Sequence, residues 1–249
     1  MENIYLLKLF YLDKSFVFFV LIIILCGLFN NFIIYFSLLI IHELGHALIG
    51  FCFGYKIDKI KLYPYGGVTL FNKTYNKSLK SEFFVLIAGP IFQIITYLIM
   101  KQFIFYDYLT LYHYTLLIFN LMPIYPLDGG KLLNIFFNFR FNYKRSFYLS
   151  FYTSIVLISI LIVYSFVISN FNFLMILIVL IIKLINLYKN LDYDYNNFLL
   201  DRYLHNYEFN NIKCINNSNG FYRDKSHIIK MEREEKFLKN YFEKKVYRK

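Results

Sequence analysis

The sequence predicts an all-α polytopic membrane protein of six transmembrane helices with a small cytoplasmic C-terminal tail, on three observations. The chain of 249 residues is 58% hydrophobic and only 17% charged, where a soluble domain carries about 25% charged residues. Its apolar residues stand in long uninterrupted blocks, with the charges between and after them. The basic residues also collect in alternate inter-block segments, as the positive-inside rule asks of a chain crossing six times.

The first apolar stretch runs from after Lys14 to about Gly54, too long for one span of roughly 20 residues. Asn30-Asn31 is its polar break, which predicts helices at 15–29 and 32–53 joined by a tight turn. No small-residue cleavage site follows the first block, so it is expected to be a permanent span rather than a signal peptide. A Lys-rich segment covers 55–81, and helices are expected at 82–101 and 108–122, the second stopped by Pro123. A mixed segment, 124–146, precedes spans at 147–168 and 171–188 around Ser169-Asn170. Residues 1–188 thus form the expected membrane domain and 189–249 a basic tail, whose mixed Asp, Glu, Lys and Arg predict a solvated, partly folded region.

With six helices, Lys8 and Lys14, the six lysines of 55–81, the basic residues Lys131, Arg140, Lys144 and Arg145, and the tail all share one side. That side is cytoplasmic, and so are both termini. Lys183 near the end of the last span snorkels to the same interface. The formal charge of +11 is therefore a topology signal, and no nucleic-acid partner is expected. Cys26, Cys52 and Cys214 have no CxxC spacing and are expected to be small core fillers in a reducing setting.

Chemistry enters with Ile41-His42-Glu43-Leu44-Gly45-His46-Ala47 in the second span. Positions i and i+4 lie one helical turn apart on the same face, so His42 and His46 can present ring nitrogens to one ion. Glu43 sits beside that face as a general base. Gly45 leaves one side of the turn bare, which is expected to admit a substrate backbone. Ionisable groups in hydrocarbon cost about 2.5–3.5 kcal/mol each on the mildest scale, and a divalent metal supplies the compensation they need. A catalytic zinc takes three protein ligands. Asp128, in Pro123-Ile124-Tyr125-Pro126-Leu127-Asp128-Gly129-Gly130-Lys131, and His113 are the two candidates for the third. Asp128 lies at the membrane boundary on the cytoplasmic side, closer in depth to the histidine pair. His113 stands nearer the opposite face and is expected to be interfacial. The strand-forming stretch from Tyr63 to Leu70 is expected to pair edge to edge with an extended substrate.

The sequence HELGH in an early span followed by Asn120, Pro123 and Pro126-Leu127-Asp128-Gly129-Gly130 resembles the site-2 protease family of intramembrane zinc metalloproteases. It resembles in particular the branch of stage IV sporulation protein FB. Leu62-Tyr63-Pro64-Tyr65-Gly66-Gly67, Ile87-Ala88-Gly89-Pro90 and Phe198-Leu199-Leu200-Asp201-Arg202-Tyr203 match its phrases in order, and the likeness covers roughly residues 15–205. The resemblance implies that His42, His46 and Asp128 bind one zinc ion and that Glu43 is the catalytic base. Asn120 would contact the substrate carbonyl or its oxyanion. Tyr65, Gly66, Gly67 and Pro126 are the expected substrate-binding positions. It further implies the substrate pro-sigma-K, the outer forespore membrane on its mother-cell side, and inhibitory or scaffolding membrane partners. The tail is too short for the nucleotide-sensing CBS domain of that branch and is expected to be at most a shortened version.

Two other readings compete. A site-2 protease acting on a transmembrane anti-sigma factor would use the same residues. A metal transporter would want charged or polar ligands on several spans, and the fifth and sixth offer only Ser, Thr and Asn before Lys183.

Overall fold

The computed structural model describes residues 10–12, 14–63, 66–72, 75–103, 107–169, 171–205, 207, 209–229 and 231–246. The chain divides into two compact units, residues 1–73 with 81–122 and residues 74–80 with 123–249.

In the first unit, helix α1 (Lys14–Leu25) is followed by α2 (Phe29–Cys52). The turn between them is made by Gly27, at φ +72, and not by Asn30-Asn31. Only glycine enters the left-handed region without strain, and here Leu28 N–H bonds back to Ile23 O at 3.1 Å. The asparagines fall in the first turn of α2, where backbone N–H groups lack helical acceptors and polar side chains are tolerated. The buried face of α2 carries Ile34, Leu38, His42, Gly45, His46 and Gly50, so the helix that buries its apolar residues buries the histidines with them.

Strands β1 (Phe10–Leu12), β2 (Ile57–Tyr63) and β3 (Gly66–Phe71) form one sheet, with β2 in the middle. β2 runs parallel to β1 and antiparallel to β3. The expected strand across 63–70 is thus the second arm of a hairpin, beginning at Gly66. Among the described residues nothing pairs with the outer edge of β3.

Helices α3 (Leu79–Phe103) and α4 (Asp107–Leu121) complete this unit. A core of Ile34, Leu38, Leu39, Tyr97, Leu109 and Leu116 joins α2, α3 and α4. Gly45 serves this packing rather than a substrate. A Cβ there would lie 2.8 Å from Ala88 O and 3.0 Å from Phe92 Cβ, so its bareness is filled by the backbone of α3.

The second unit holds α5 (Asp128–Arg140), α6 (Tyr143–Val167) and α7 (Phe171–His205). Ser146, Ser150 and Ser154 lie one turn apart on α6 and are all buried. Ser150 Oγ accepts from Asn134 Nδ2 on α5 at 3.1 Å, and Ser154 Oγ accepts from Tyr125 N at 2.8 Å. Small hydroxyl residues let two apolar helices approach and satisfy the polar groups between them.

The last helix does not stop near 188 but continues to His205, because hydropathy marks where apolar side chains end and not where the backbone leaves helical geometry. Its final turns pack on β4 (Ile212–Ile215), β5 (Ser226–Ile229) and α8 (Glu234–Val246), and β6 (Glu232–Arg233) pairs with β5. Tyr195, Phe198, Leu199, Ile215, Phe221, Ile229 and Leu238 form a core, so the tail is folded more fully than its charge pattern predicts. Buried Arg202 donates to Glu234 Oε1 (2.8 Å), Tyr222 O (2.8 Å) and Asn76 Oδ1 (2.8 Å). Arg223 donates to Lys77 O at 3.0 Å, and Leu79 N–H donates to Asp224 at 2.8 Å. The tail therefore grips residues 75–79, the link from β3 to α3.

His227 is buried beneath this network, with Nε2 accepting from Tyr222 N at 2.9 Å and Nδ1 facing Glu234 Oε2 at 2.9 Å. Burial holds its pKa below the ordinary histidine value, with Arg202 and Lys225 adding to the effect against the opposing pull of Glu234. Glu234 lies low because its bonds to His227 and Arg202 outweigh its desolvation. The unfolded chain therefore takes up protons before the folded one. Stability from His227 is complete above about pH 6.5 and falls below it, and that from Glu234 is lost below about pH 4.5. Limited proteolysis of the purified full chain is expected to show the tail opening progressively from about pH 6.5 downward, with no change between pH 7 and 8.

Four helices are long and apolar enough to cross a membrane: Phe29–Cys52, Leu79–Phe103, Tyr143–Val167 and Phe173–His205. As described, α1 with 12 residues and α4 with 15 extend about 18 and 22 Å, short of a hydrocarbon layer of about 30 Å. Among the described residues, four helices of spanning length stand where six spans are expected. With two three-stranded sheets, the fold is mostly helical rather than all-α. Ile155, Val156, Ile160, Val163 and Val167 are all exposed along α6, a continuous apolar face of the kind that lipid covers.

Candidate metal and catalytic site

His42 and His46 face each other from successive turns of α2, with Nε2 atoms 3.2 Å apart. Two nitrogens bound tetrahedrally to zinc at 2.0–2.1 Å stand about 3.3–3.4 Å apart, so the pair already has the separation of a shared ion. Each ring is fixed by its other nitrogen. His46 Nδ1 lies 2.8 Å from Val85 O, and His42 Nδ1 lies 3.0 Å from Gln93 Oε1. Both oxygens only accept, so both Nδ1 atoms carry the proton and both Nε2 atoms present lone pairs. Lone pairs facing at 3.2 Å repel until a cation stands between them. Outer hydrogen bonds of this kind orient histidine ligands at metal centres.

The acceptors come from α3. Pro90 lies inside that helix and has no N–H to offer the Leu86 carbonyl. In the same turn Val85 turns its carbonyl to His46. Gly89 lies against both rings. A Cβ there would overlap His46 Nε2 and come within 2.9 Å of His42 Nε2, so only glycine leaves the space beside the ligand atoms open.

Glu43 is buried at 6% exposure. Thr69 Oγ1 of β3 donates to its Oε2 at 2.7 Å and to its backbone O at 3.2 Å. Gly67 lies against the same side chain, where a Cβ would sit 2.5 Å from Glu43 Cγ and 2.9 Å from Cδ. The hairpin thus carries the clamp on the acid. Asn120, in the last turn of α4 ahead of Pro123, places Nδ2 3.4 Å from His42 Nε2. Its carboxamide therefore reaches the ligand side of the histidine pair.

Asp128 opens α5, with Leu127 as the N-cap. The helix N-terminus favours its negative charge, and Lys131 Nζ lies 3.3 Å from Oδ1. Gly130 is needed because the preceding segment folds back over this turn, and any Cβ would overlap the Ile124–Tyr125 peptide. Pro126 lies in that segment, which Tyr125 N–H ties to Ser154. His42, His46 and Asp128 are all buried and form a group able to hold one metal ion. Two imidazoles and one carboxylate are a donor set that suits zinc.

Of the other sequence-derived residues, Gly66 pairs with Tyr63 in the hairpin, and Tyr65 lies outside the described residues. His113 is neither interfacial nor a ligand to the pair. It is buried at 2%, stacked on Tyr97 at 4.0 Å between centroids, and bonded to Gln93. Sequence reasoning quoted Gly89 within a motif and Thr69 within a strand but gave neither a role at the site, and it passed over Gln93 and the Val85 carbonyl. Gln93 carried a signal of its own, as an amide in the middle of an apolar span.

Residues 30–107 match the model of Peptidase family M50. That stretch holds the histidine pair, Glu43, the hairpin and the α3 acceptors. The chain is 37% identical over 109 residues to stage IV sporulation protein FB of Bacillus subtilis, covering 41% of this chain and 38% of that one. It is 36% identical over 140 residues to a zinc metalloprotease of Methanocaldococcus jannaschii, covering 49% and 40%. The structure resembles the site-2 protease from Methanocaldococcus jannaschii with a TM-score of 0.54 and 28% identity, over 69% of this chain and 86% of that one. The chain is similar to the M50 family over residues 30–107 and to a site-2 protease in its fold. It spans about two fifths of the length of the curated relatives it matches. The family match ends before Asn120 and Asp128.

Proposed function

We propose that this protein is an intramembrane zinc endopeptidase of the site-2 protease family in which Glu43 is the general base and His42, His46 and Asp128 hold the ion. The observation that carries this reading is the pair of Nε2 atoms 3.2 Å apart with both Nδ1 atoms committed to acceptors. An ion held by these three residues would supply Lewis-acid activation of water and of the scissile carbonyl. Glu43, steadied by Thr69, takes the proton from the attacking water and passes it to the leaving amine. Asn120 donates to the carbonyl oxygen as negative charge develops on it.

The open edge of β3 would receive the substrate as an added strand, with Gly66 and Gly67 allowing close approach; Tyr65 and Pro126 are kept as substrate-binding positions on the resemblance alone. A proline at Val68 removes a backbone donor from this strand. Val68→Pro is expected to lower cleavage about tenfold or more with zinc content unchanged, and unaltered cleavage would remove the strand-addition idea.

The substrate of this reading is pro-sigma-K, supported by the similarity to stage IV sporulation protein FB. Cleavage would then occur at the outer forespore membrane on the mother-cell side. Both termini would be cytoplasmic, and membrane partners would hold the enzyme in check. The test is co-expression with pro-sigma-K from the same genome, followed by immunoblotting for the shortened product. Cleavage by the wild type and not by Glu43→Gln establishes protease and substrate together. If the wild type leaves pro-sigma-K intact, that substrate is withdrawn, and transmembrane anti-sigma factors are tested next.

A further inference from the structure

We propose that Gln93 is a positioning residue for the metal ligand His42, fixing both its tautomer and its ring orientation, with His113 aligning the Gln93 amide. The inference rests on the reading of His42 as a zinc ligand.

Gln93 lies in the middle of α3, within an apolar span, and is fully buried at 0% exposure. A carboxamide in such surroundings costs about 1–3 kcal/mol or more if it lacks partners. Both ends of this one have them. Nε2 donates to His113 O at 3.0 Å and lies 3.4 Å from His113 Nδ1, while Oε1 lies 3.0 Å from His42 Nδ1.

The orientation of an amide is an inference from its network, and here the network leaves one choice. The His113 carbonyl only accepts, so the amide nitrogen must face it. The amide oxygen must then face His42, and an amide oxygen cannot donate. His42 therefore carries its proton on Nδ1 and keeps Nε2 unprotonated, the state a metal requires. The reference point is itself held, since the His113 ring stacks on Tyr97 at an interplanar angle of 7°. Tyr97 Oη is in turn 3.3 Å from Thr110 Oγ1.

The two histidines differ in what orients them. His46 leans on a backbone carbonyl, Val85 O, which no substitution at residue 85 removes. His42 leans on a side chain, so its alignment is open to mutation. Loss of such an outer partner weakens metal binding by about 10–100-fold.

The experiment measures the zinc dissociation constant of the purified full chain in detergent, by competition with a chromophoric chelator. Gln93→Met keeps the length without the acceptor, Gln93→Asn keeps the amide without the reach, and Gln93→Glu keeps an acceptor facing His42. The expected result is binding weakened about 10–100-fold in the first two and within about threefold of wild type, or tighter, in Gln93→Glu. Loss in all three with the same fall in zinc-free thermal stability would make Gln93 a packing residue only and overturn the proposal. Should Gln93→Met not fold, wild-type affinity in Gln93→Asn overturns it equally. His46→Ala separates the two levels. If it abolishes binding while Gln93→Asn leaves the affinity unchanged, the positioning role falls and the metal site stands. If His46→Ala also binds zinc like wild type, the metal site falls and the positioning role falls with it.

Discussion

Gly89→Ala is expected to abolish stoichiometric zinc binding while leaving the chain folded. The added Cβ would overlap His46 Nε2 and stand 2.9 Å from His42 Nε2. Neither neighbour yields cheaply, because His46 is tied to Val85 O and His42 to Gln93. Relief therefore comes from turning a ring off its acceptor or from parting α2 and α3, which Gly45 holds in close contact. Overpacking of one methyl costs a fold about 1–3 kcal/mol, which a helical membrane protein tolerates. A zinc site tolerates ligand displacements of only about 0.2 Å. Elemental analysis of the purified variant should show zinc falling from about one ion per chain to a small fraction of that, with helix content by circular dichroism unchanged. Full zinc occupancy in the variant would show that the ion is not held between these two rings.

Glu43→Gln is expected to do the reverse, keeping the ion and losing the reaction. The amide has the shape of the acid, and its oxygen can still accept from Thr69 Oγ1, which now donates to Oε2 at 2.7 Å. It has no basic site for the proton of the attacking water. General acid–base catalysis supplies about 10²–10⁴-fold in rate, so cleavage is expected to drop by about that factor at unchanged zinc content. The two variants together separate the parts of the site, one losing metal with its base intact and the other losing base with its metal intact. Equal cleavage by wild type and Glu43→Gln would assign the proton transfer to another group.

Much of the site was legible because its first part is local. His42, Glu43 and His46 lie within five residues, and the helical repeat alone puts the histidines on one face. Asp128 was legible as a carboxylate set among two prolines and two glycines, and Asn120 only through the resemblance to the site-2 proteases. What escaped were groups that matter only through packing. Thr69 reaches Glu43 across 26 residues, and Gln93 reaches His42 across 51. The role of Gly45 was misjudged for the same reason, since a bare helix face is equally suited to a substrate and to a neighbouring helix. Gly27 shows the converse: Asn30-Asn31 was the louder polar signal, but the backbone turned where glycine allowed φ +72.

By itself the sequence determined that the chain carries long helices apolar enough to cross a membrane, that two histidines and a glutamate share one helix, and that the tail is chemically distinct. These are consequences of composition and short-range periodicity, which act within a turn or a block. The tertiary structure decided which nitrogen of each histidine is available and what steadies Glu43. It also showed that Gly89 must be bare, that His113 is buried behind Gln93, and that residues 189–205 extend the last helix into a folded tail. Those depend on which helix or strand lies against which, and hydrogen bonds made across the packing carry no fixed spacing along the chain.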